Sequence, residues 1–438
     1  MDTAQDTALW RKITFRLLPL LILLYTVAYV DRSAVGFAQL TMGTDIGIDA
    51  AAFGLGSGLF FLGYFLFEVP SNMLMRKTGA RVWFFRILLS WGIVTMLTAF
   101  IWNEWSFYVV RFLLGVCEAG FYPGVIVYLA TWFPHRNLTK ATGRFVVAAP
   151  LAFVILSPLA GWLVSISGGG MDGWQWLFIV VGGVAVLCAF VDLAFLPKSP
   201  QTVHWLTDDE KNYVESELEK DKVEMGLTDT RNPLRSLVDP RVLIFSAVFF
   251  CQAAGVYGLS FWLPQVIKAF NVTDWQVGLL TDIPYLCALV AVFWAAGWVN
   301  KHFKWNWKPL IVILVIAGVF IALSAAMPVP ALQLIALAIV AMAAYNVAGV
   351  FWQLPNGILT GATAAVGIAA INSIGNLGGF VGPYAVGLLT KWTGNTKAGM
   401  FLLGGIFILG AILTPVAKRV ITNYKVPEQD LAINRTQS

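Results

Sequence analysis

Charge is what this chain has least of. Asp, Glu, Lys and Arg make up 12% of its 438 residues, where a soluble globular chain carries roughly 25%. That shortage excludes a water-facing surface over most of the molecule. Histidine is also scarce: His135, His204 and His302 all fall in short polar loops, so neither a metal site nor a buried histidine relay is expected. The four cysteines, Cys117, Cys188, Cys251 and Cys287, lie in apolar runs without metal-ligand spacing. They read as small buried hydrophobes, not as a disulfide framework. No phosphate-binding glycine loop, H-E-x-x-H, G-x-S-x-G or paired-cysteine motif occurs, so no cofactor and no enzyme chemistry is expected. The N-terminus carries no cleavage-site signature, and its first apolar run is too long for a signal peptide.

What is present is hydrophobic surface. Apolar residues make up 58% of the chain, and mean hydropathy is +0.74. About twenty apolar residues span the ~30 Å hydrocarbon layer of a bilayer. Twelve such runs can be placed, over 16–39, 52–75, 82–102, 105–132, 141–166, 174–196, 242–267, 276–299, 309–327, 331–354, 362–390 and 398–417. The expected fold is therefore an all-α polytopic membrane protein with lipid around it. The net charge of +5 is no nucleic-acid signal, because the basic residues sit in short loops. Arg11, Lys12 and Arg16, then Arg76, Lys77 and Arg81, then Arg136, Lys140 and Arg144, then Lys301, Lys304 and Lys308, and finally Lys418 and Arg419 all fall on one side. The opposite loops carry Asp45, Asp49, Glu104 and Asp172, with Lys268, Lys391 and Lys397 as exceptions. By the positive-inside rule both termini are expected in the cytoplasm.

Residues 197–240 are the one long polar connection. Thr207-Asp-Asp-Glu210 is a capping-box pattern and predicts a short helix over 208–221, in either a solvated connector or a regulatory docking site. The connection divides the chain into 1–196 and 241–438, six spans each. A short repeat agrees with that division: Asp49-Ala-Ala-Ala-Phe-Gly54-Leu55 matches Thr273-Asp-Trp-Gln-Val-Gly278-Leu279, each opening a helix on an N-capping residue. Two pseudo-symmetric six-helix bundles around a central site imply a transporter working by alternating access.

An ionisable group inside a bilayer costs at least ~2.5–3.5 kcal/mol, so the few that occur carry most of the functional signal. The run Trp105–Phe133 contains Arg111 and Glu118. Read as one continuous helix, it places them two turns apart on one face, roughly 10 Å along the axis, with Gly115 between them and Tyr122 continuing the face. The first run contains Asp31 and Arg32. Tyr25, Tyr29, Arg32 and Gly36 share one face there, so Arg32 is expected to face a central cavity. Asp31 is expected to meet a cation on another span or to carry a proton. Both charged sets read as coupling or binding groups, with structural ion pairs as the alternative. Tyr64 is expected to line the cavity. Glu68 is read as a lock on the loop holding Arg76 and Lys77, or as a proton carrier. The second six runs carry neutral groups instead: Gln252, Tyr257 and Gln265; Asn346, Trp352 and Gln353; Asn372, Ser373 and Asn376. Such amides can contact a bound solute or join helices. Asp282 is the one acid well inside a run of this set.

These residues resemble the anion:cation symporter family of the major facilitator superfamily, in particular bacterial organic-acid permeases. The strings that carry the resemblance are Tyr29-Val-Asp-Arg32, Phe67-Glu-Val-Pro-Ser-Asn72, Arg111-Phe-Leu-Leu-Gly-Val-Cys-Glu-Ala-Gly-Phe-Tyr-Pro123, Trp132-Phe-Pro134, Tyr257-Gly-Leu-Ser-Phe-Trp-Leu-Pro264 and Ile371-Asn-Ser-Ile-Gly-Asn-Leu-Gly-Gly-Phe-Val-Gly-Pro383. The resemblance implies the major facilitator fold and proton-coupled import of an organic carboxylate such as a sugar acid, tartrate, phthalate or hydroxyphenylacetate. It implies protons at Asp31 and Glu118, with Arg111 tuning them, and the substrate carboxylate at Arg32. It places Tyr29, Tyr64, Trp352 and Asn372 along the cavity; Tyr257, Gln353 and Asn376 are added from their positions on the neutral runs. A monomer in the bacterial inner membrane is expected. An anion exchanger or facilitator, or a transporter-like membrane receptor, are the alternatives. One departure stands out: the loop after the second run reads Asn72-Met-Leu-Met-Arg76-Lys77-Thr-Gly79-Ala-Arg81, with Arg76 where the superfamily has an acid. That puts the usual latch between the halves in doubt, with Glu68 as a substitute.

Overall fold

A lipid-embedded chain can satisfy its backbone amides only in helices or a closed barrel. The computed structural model describes residues 3–145, 147–166, 170–224, 238–302, 306–359 and 362–423, and every described element is a helix. The first six spans are built from α1 (Thr3–Asp45), α2 (Ala50–Thr78), α3 (Ala80–Thr98), α4 (Glu104–Glu118) with α5 (Phe121–Ala130), α6 (His135–Phe145) with α7 (Ala148–Val164), and α8 (Gly173–Phe195). The connector holds α9 (Asp208–Glu224). The last six spans are α10 (Pro240–Lys268), α11 (Asp274–His302), α12 (Lys308–Ala326), α13 (Pro330–Phe351) with α14 (Gln353–Ile358), α15 (Ala362–Asn376) with α16 (Gly378–Thr393), and α17 (Lys397–Asn423). Eleven of these spans are long and apolar enough to cross a membrane. The remaining one, expected as a single helix over 362–390, is divided at Leu377, where the amide of Leu377 bonds back three residues to Ile374. Gly375, Gly378 and Gly379 flank that point and weaken the helix there. The expected basic loop around Lys304 lies outside the described residues.

The fourth span is not the single helix expected over Trp105–Phe133. It breaks directly after Glu118, and Gly120 takes a left-handed φ of 84°. Proline explains the break. The carbonyl of Ala119 would bond the amide four residues on, but residue 123 is Pro and has no amide to give. The Ser71 hydroxyl donates to that carbonyl instead, at 2.6 Å. Tyr122 therefore leaves the Arg111–Glu118 face and packs with Tyr25, at 5.3 Å between ring centroids. The tenth span breaks comparably at Trp352, three residues before Pro355.

Three caps read from the sequence form as expected. Asp49 accepts from the Ala52 amide at 2.8 Å. Thr207 and Glu210 make a reciprocal capping box, as do Thr273 and Gln276. The connector is no free link. Lys12 pairs with Glu210 at 2.8 Å, Arg136 bridges Asp6 and Glu217, and Tyr213 donates to Asp6 at 3.0 Å. These bonds seat α9 on the first set of spans, at what is here called the connector end. The opposite end, with Asp49, Asp172 and Asp274, is the acidic end.

Glycine fixes how the spans pack, and it does so twice. Gly92 of α3 abuts Gly182 of α8, and Gly318 of α12 abuts Gly404 of α17. Between the two sets, Gly54 of α2 meets Gly387 of α16, and Gly161 of α7 meets Gly278 of α11. A Cβ on Gly54 would come within 2.6 Å of the Pro383 carbonyl, and one on Gly278 within 2.5 Å of the Ser157 carbonyl. The repeat that pairs Gly54 with Gly278 thus marks the two contacts at which the sets touch most closely near the acidic end. Asp49 and Lys391 close that end with an ion pair at 2.7 Å.

Partial burial raises the Asp49 carboxyl, but the Lys391 ammonium and the helix amides more than offset it and hold the group below its usual value. A lowered pKa means that this closing contact is fully present above the ordinary carboxylate range and is lost as pH falls through the lowered value. The distance between spin labels placed on the α1–α2 loop and beyond α16 is therefore expected to lengthen on acidification below about pH 4. Asp49→Asn should give the lengthened distance already at neutral pH.

Candidate functional site

The buried charges converge on Arg32. Its Nη2 donates to Oε1 of Glu118, and its Nη1 donates to the Tyr257 hydroxyl at 2.8 Å. Five rings surround the guanidinium: Phe60 at 4.9 Å, Tyr29 at 5.3 Å, Tyr64 at 5.6 Å, Tyr257 at 5.7 Å and Phe61 at 5.8 Å from its carbon. Such faces stabilise a desolvated cation. Three helices of the first set and one of the second build this shell. Arg32 is therefore a point of contact between the sets, and Gln265 adds another by donating to the Gly36 carbonyl at 3.0 Å.

Arg111 and Glu118 lie on one face of α4, both buried, as expected from their spacing. They do not pair with each other. Glu118 is taken by Arg32, and its Oε2 has no hydrogen-bond partner. Nε and Nη2 of Arg111 have none either. The Arg111 guanidinium lies 5.2 Å from the same Phe60 ring that faces Arg32, so one ring serves both cations. The close approach comes from Gly115: a Cβ there would fall 2.0 Å from the Phe60 carbonyl oxygen. Among the described residues Asp31 forms no direct ion pair, and the Arg111 charge of the fourth span acts on it at longer range. Asp31 is buried and accepts from the Thr95 hydroxyl, at 2.6 Å and 2.8 Å to its two oxygens.

Glu68 does not lock the basic loop after α2; it bonds across to the second set, in the place expected of it as a substitute latch between the halves. It is buried and accepts from Asn372 Nδ2 at 3.0 Å and from Ser373 Oγ at 2.7 Å, a bond pair between the two sets on the connector side of Arg32. Asn372 is therefore committed to Glu68 in this conformation. Trp352 packs edge-on against Phe249, with centroids 5.1 Å apart, and Gln353 donates to the Gly349 carbonyl at 3.1 Å. Asn376 is half-buried at the end of α15. The structure thus joins Tyr29, Arg32, Tyr64, Glu118 and Tyr257 directly. It holds Asp31 and Arg111 beside them, and packs Trp352 against Phe249 of the second set. A depression of about 640 Å³ beside Asp45, Asp172 and Asp274 contains none of these residues.

A site of buried charge between two sets of spans is set in a frame that known proteins share. Residues 21–383 match the Major Facilitator Superfamily. The chain belongs to the Major Facilitator Superfamily. It is a multi-pass membrane transporter and not an enzyme. This member is 46% identical to a quinolone resistance transporter of Acinetobacter baumannii, over 94% of the chain and 95% of that protein. It is 41% identical to a protein of Agrobacterium vitis named for tartrate transport, over 93% and 91%. Among solved structures it resembles a bacterial homolog of the human lysosomal transporter Spinster in an inward-facing, unoccupied conformation. That match has a TM-score of 0.72 at 16% identity and covers 95% of this chain and 99% of the other; it speaks to the fold.

Sequence reasoning about this superfamily member missed Phe60 and Phe61, which look like lipid-facing residues, and Thr95, which looks like an ordinary polar residue of α3. A signal for Glu68 was present. It sits among apolar residues one turn from Tyr64, so its nearest company was the site and not the loop. Removing its carboxylate takes the acceptor from two half-buried donors, at up to about 1–3 kcal/mol for a group left unsatisfied. Glu68→Ala is accordingly expected to lower the thermal midpoint of the purified protein clearly more than Ser373→Ala, which removes one donor and leaves Asn372 in place.

Proposed function

We propose that this transporter imports an organic carboxylate together with protons by alternating access, with residues 1–196 and 241–438 rocking about the Arg32 site. The observation that carries the reading is the Arg32–Glu118 ion pair. Arg32 keeps its proton at any working pH, so its site always calls for an anion, and with no substrate bound Glu118 is that anion. A substrate carboxylate offers Arg32 a second acceptor and frees Glu118. A buried carboxylate without its partner costs several kcal/mol, and taking up a proton removes that cost. Substrate binding and protonation then favour each other, and release of either favours release of both.

The neighbours have matching tasks in this reading. Tyr29, Tyr64 and Tyr257 wall the anion and hold it by ring faces and hydroxyls. Asp31, with one hydroxyl proton for two oxygens, is a second proton site, and the Arg111 charge tunes both acids. Trp352, Gln353, Asn372 and Asn376 reach the substrate from the second set. Relatives named for tartrate transport support a carboxylate cargo. Bacterial relatives, one of them named an inner membrane transport protein, support an inner membrane location, and the basic loops support cytoplasmic termini, which makes the connector end the inner one. A monomer is part of this reading.

Coupling has a sign that can be measured. Calorimetric titration of the parent with its carboxylate, in buffers of different ionisation enthalpy, is expected to report proton uptake, with affinity falling as pH rises. Glu118→Gln should bind with fewer protons taken up than the parent and with a shallower pH dependence, the remainder belonging to Asp31. In proteoliposomes it should exchange substrate across the membrane and fail to accumulate it against a gradient. Accumulation equal to the parent would show that Glu118 does not couple transport to protons. Arg32→Ala should weaken carboxylate binding by about 10- to 100-fold, the range for a hydrogen bond to a charged group.

A further inference from the structure

One arginine of the first set faces the lipid. Arg86 lies on α3, and the exposed residues of that helix are Val82, Ile93 and Leu97. At 3.6 residues per turn these three and Arg86 fall within about 60° of arc. Arg86 therefore stands in the middle of the apolar stripe that α3 turns to the hydrocarbon. The matching place in the second set carries no charge. The glycine seams align Gly92 of α3 with Gly318 of α12, so Arg86 corresponds to Val312, which is 54% exposed. An apolar residue thus suffices for the shared scaffold. An arginine there is costly in lipid unless an anion meets it.

The chain's described residues supply no such anion. The Arg86 guanidinium carbon stands 4.1 Å from the centroid of the Trp83 ring, and its Nη1 donates to the Cys117 carbonyl at 3.3 Å. Among the described residues it forms no ion pair, and the Cys117 thiol is the titratable group that acts on it. Most of its five N–H donors are left for a ligand. The direction also fits. Trp83 lies one turn nearer the start of α3, at the connector end, so the guanidinium leans along the helix towards the headgroup level. Arg86 itself is only about 9 Å along the axis from Ala80. The Trp83 ring is held in place, because its indole donates to the Ser71 hydroxyl at 3.0 Å. On α4, exposed Val109 and Leu113 lead at four-residue spacing to Cys117, where Arg86 bonds. The apolar stripes of α3 and α4 thus run together from Arg86 towards the acidic end.

We propose that Arg86 and Trp83 bind the phosphate of an anionic phospholipid, with an acyl chain laid along the seam of α3 and α4. A phosphodiester offers two oxygens to the guanidinium fork. A zwitterionic lipid brings its own cation to compete for that phosphate, whereas phosphatidylglycerol brings none. Because Arg86 also bonds the Cys117 carbonyl, the lipid site abuts the end of α4 that carries Glu118. The inference is independent of what the transporter carries.

The test places the full chain in nanodiscs of equal phosphatidylglycerol and phosphatidylcholine, releases it, and counts by native mass spectrometry the lipids that stay bound. The parent is expected to retain phosphatidylglycerol over phosphatidylcholine by about five-fold or more, the preference that one basic side chain gives at an anionic surface. Arg86→Gln should lose most of that preference and Arg86→Lys should keep part of it. Arg76→Gln, which removes an exposed cation at the end of α2, should leave it nearly unchanged. The ratio is taken within each variant, so a loss of stability alone does not move it. Excess inorganic phosphate in the buffer should not change the parent ratio. The site is overturned if the parent retains no lipid or both lipids equally. It is also overturned if Arg86→Gln keeps the parent ratio, or if Arg76→Gln lowers it as far, which would mark diffuse attraction. If inorganic phosphate abolishes the preference, the site takes a free anion from water and the lipid assignment falls.

Discussion

The site is organised by one cation that can neither be neutralised nor leave. Arg32 has its guanidinium buried, and desolvating an unpaired charge costs far more than the few kcal/mol by which a domain is stable. Its surroundings answer that demand. Glu118 supplies the opposite charge, Tyr257 a hydroxyl oxygen, and five rings their electron-rich faces. The Glu118 carboxylate reaches α1 because Gly115 lets α4 lie directly on the backbone of α2. Two distant features of the sequence, a glycine in the fourth span and a tyrosine in the seventh, thus serve the same charge.

The two sets of spans share a scaffold and divide the chemistry. The close contacts repeat: α3 on α8 matches α12 on α17, and α2 on α16 matches α11 on α7. Each is a glycine approach in which backbone meets backbone, and such packing replaces the hydrophobic drive that lipid cannot supply. The polar residues do not repeat. Arg32, Arg111, Asp31 and Glu118 belong to the first set. The positions facing them hold tyrosine, serine and asparagine. A charged group on one side and neutral hydrogen-bonding groups on the other make an interface that one ligand can bridge with both of its ends.

Much of this was legible in the sequence, and the limits have physical causes. Helix count and order follow from apolar run length. The repeat around Gly54 and Gly278 was visible because a close backbone approach tolerates no substitute for glycine. Arg32, Glu118 and the tyrosines were legible because an intramembrane charge or hydroxyl needs a reason to be there. The pairing was not. One face of α4 carries both Arg111 and Glu118, and sequence spacing cannot say that the acid leaves its own helix for Arg32. The break after Glu118 was written in Pro123, whose missing amide frees the Ala119 carbonyl, yet the hydroxyl that takes that carbonyl comes from Ser71, 48 residues earlier. Glu68 was read as a lock on the nearest cations or as a substitute latch, and spacing could not choose between them, because its partners lie 304 and 305 residues away.

Helix α2 ends its contact with the second set in two unlike ways, and the difference bears on which way the molecule opens easily. At the acidic end Asp49 meets Lys391 near solvent, where water replaces each partner at little cost. At the other limit Glu68 is buried and holds two donors, and nothing replaces them until water enters. Separating the acidic end exchanges one solvated pair for two solvated ions and uncovers the glycine seams, whose loss is mainly of packing. Separating the connector end strips a buried carboxylate of both its hydrogen bonds. In the proposed cycle the second movement is therefore the one that needs assistance, and the Arg32 site lies between the two. A loaded site can lend that assistance only by binding the two conformations unequally. A ligand that holds Arg32 from the first set and neutral groups from the second meets that condition, because its two contacts depend on how the sets are placed.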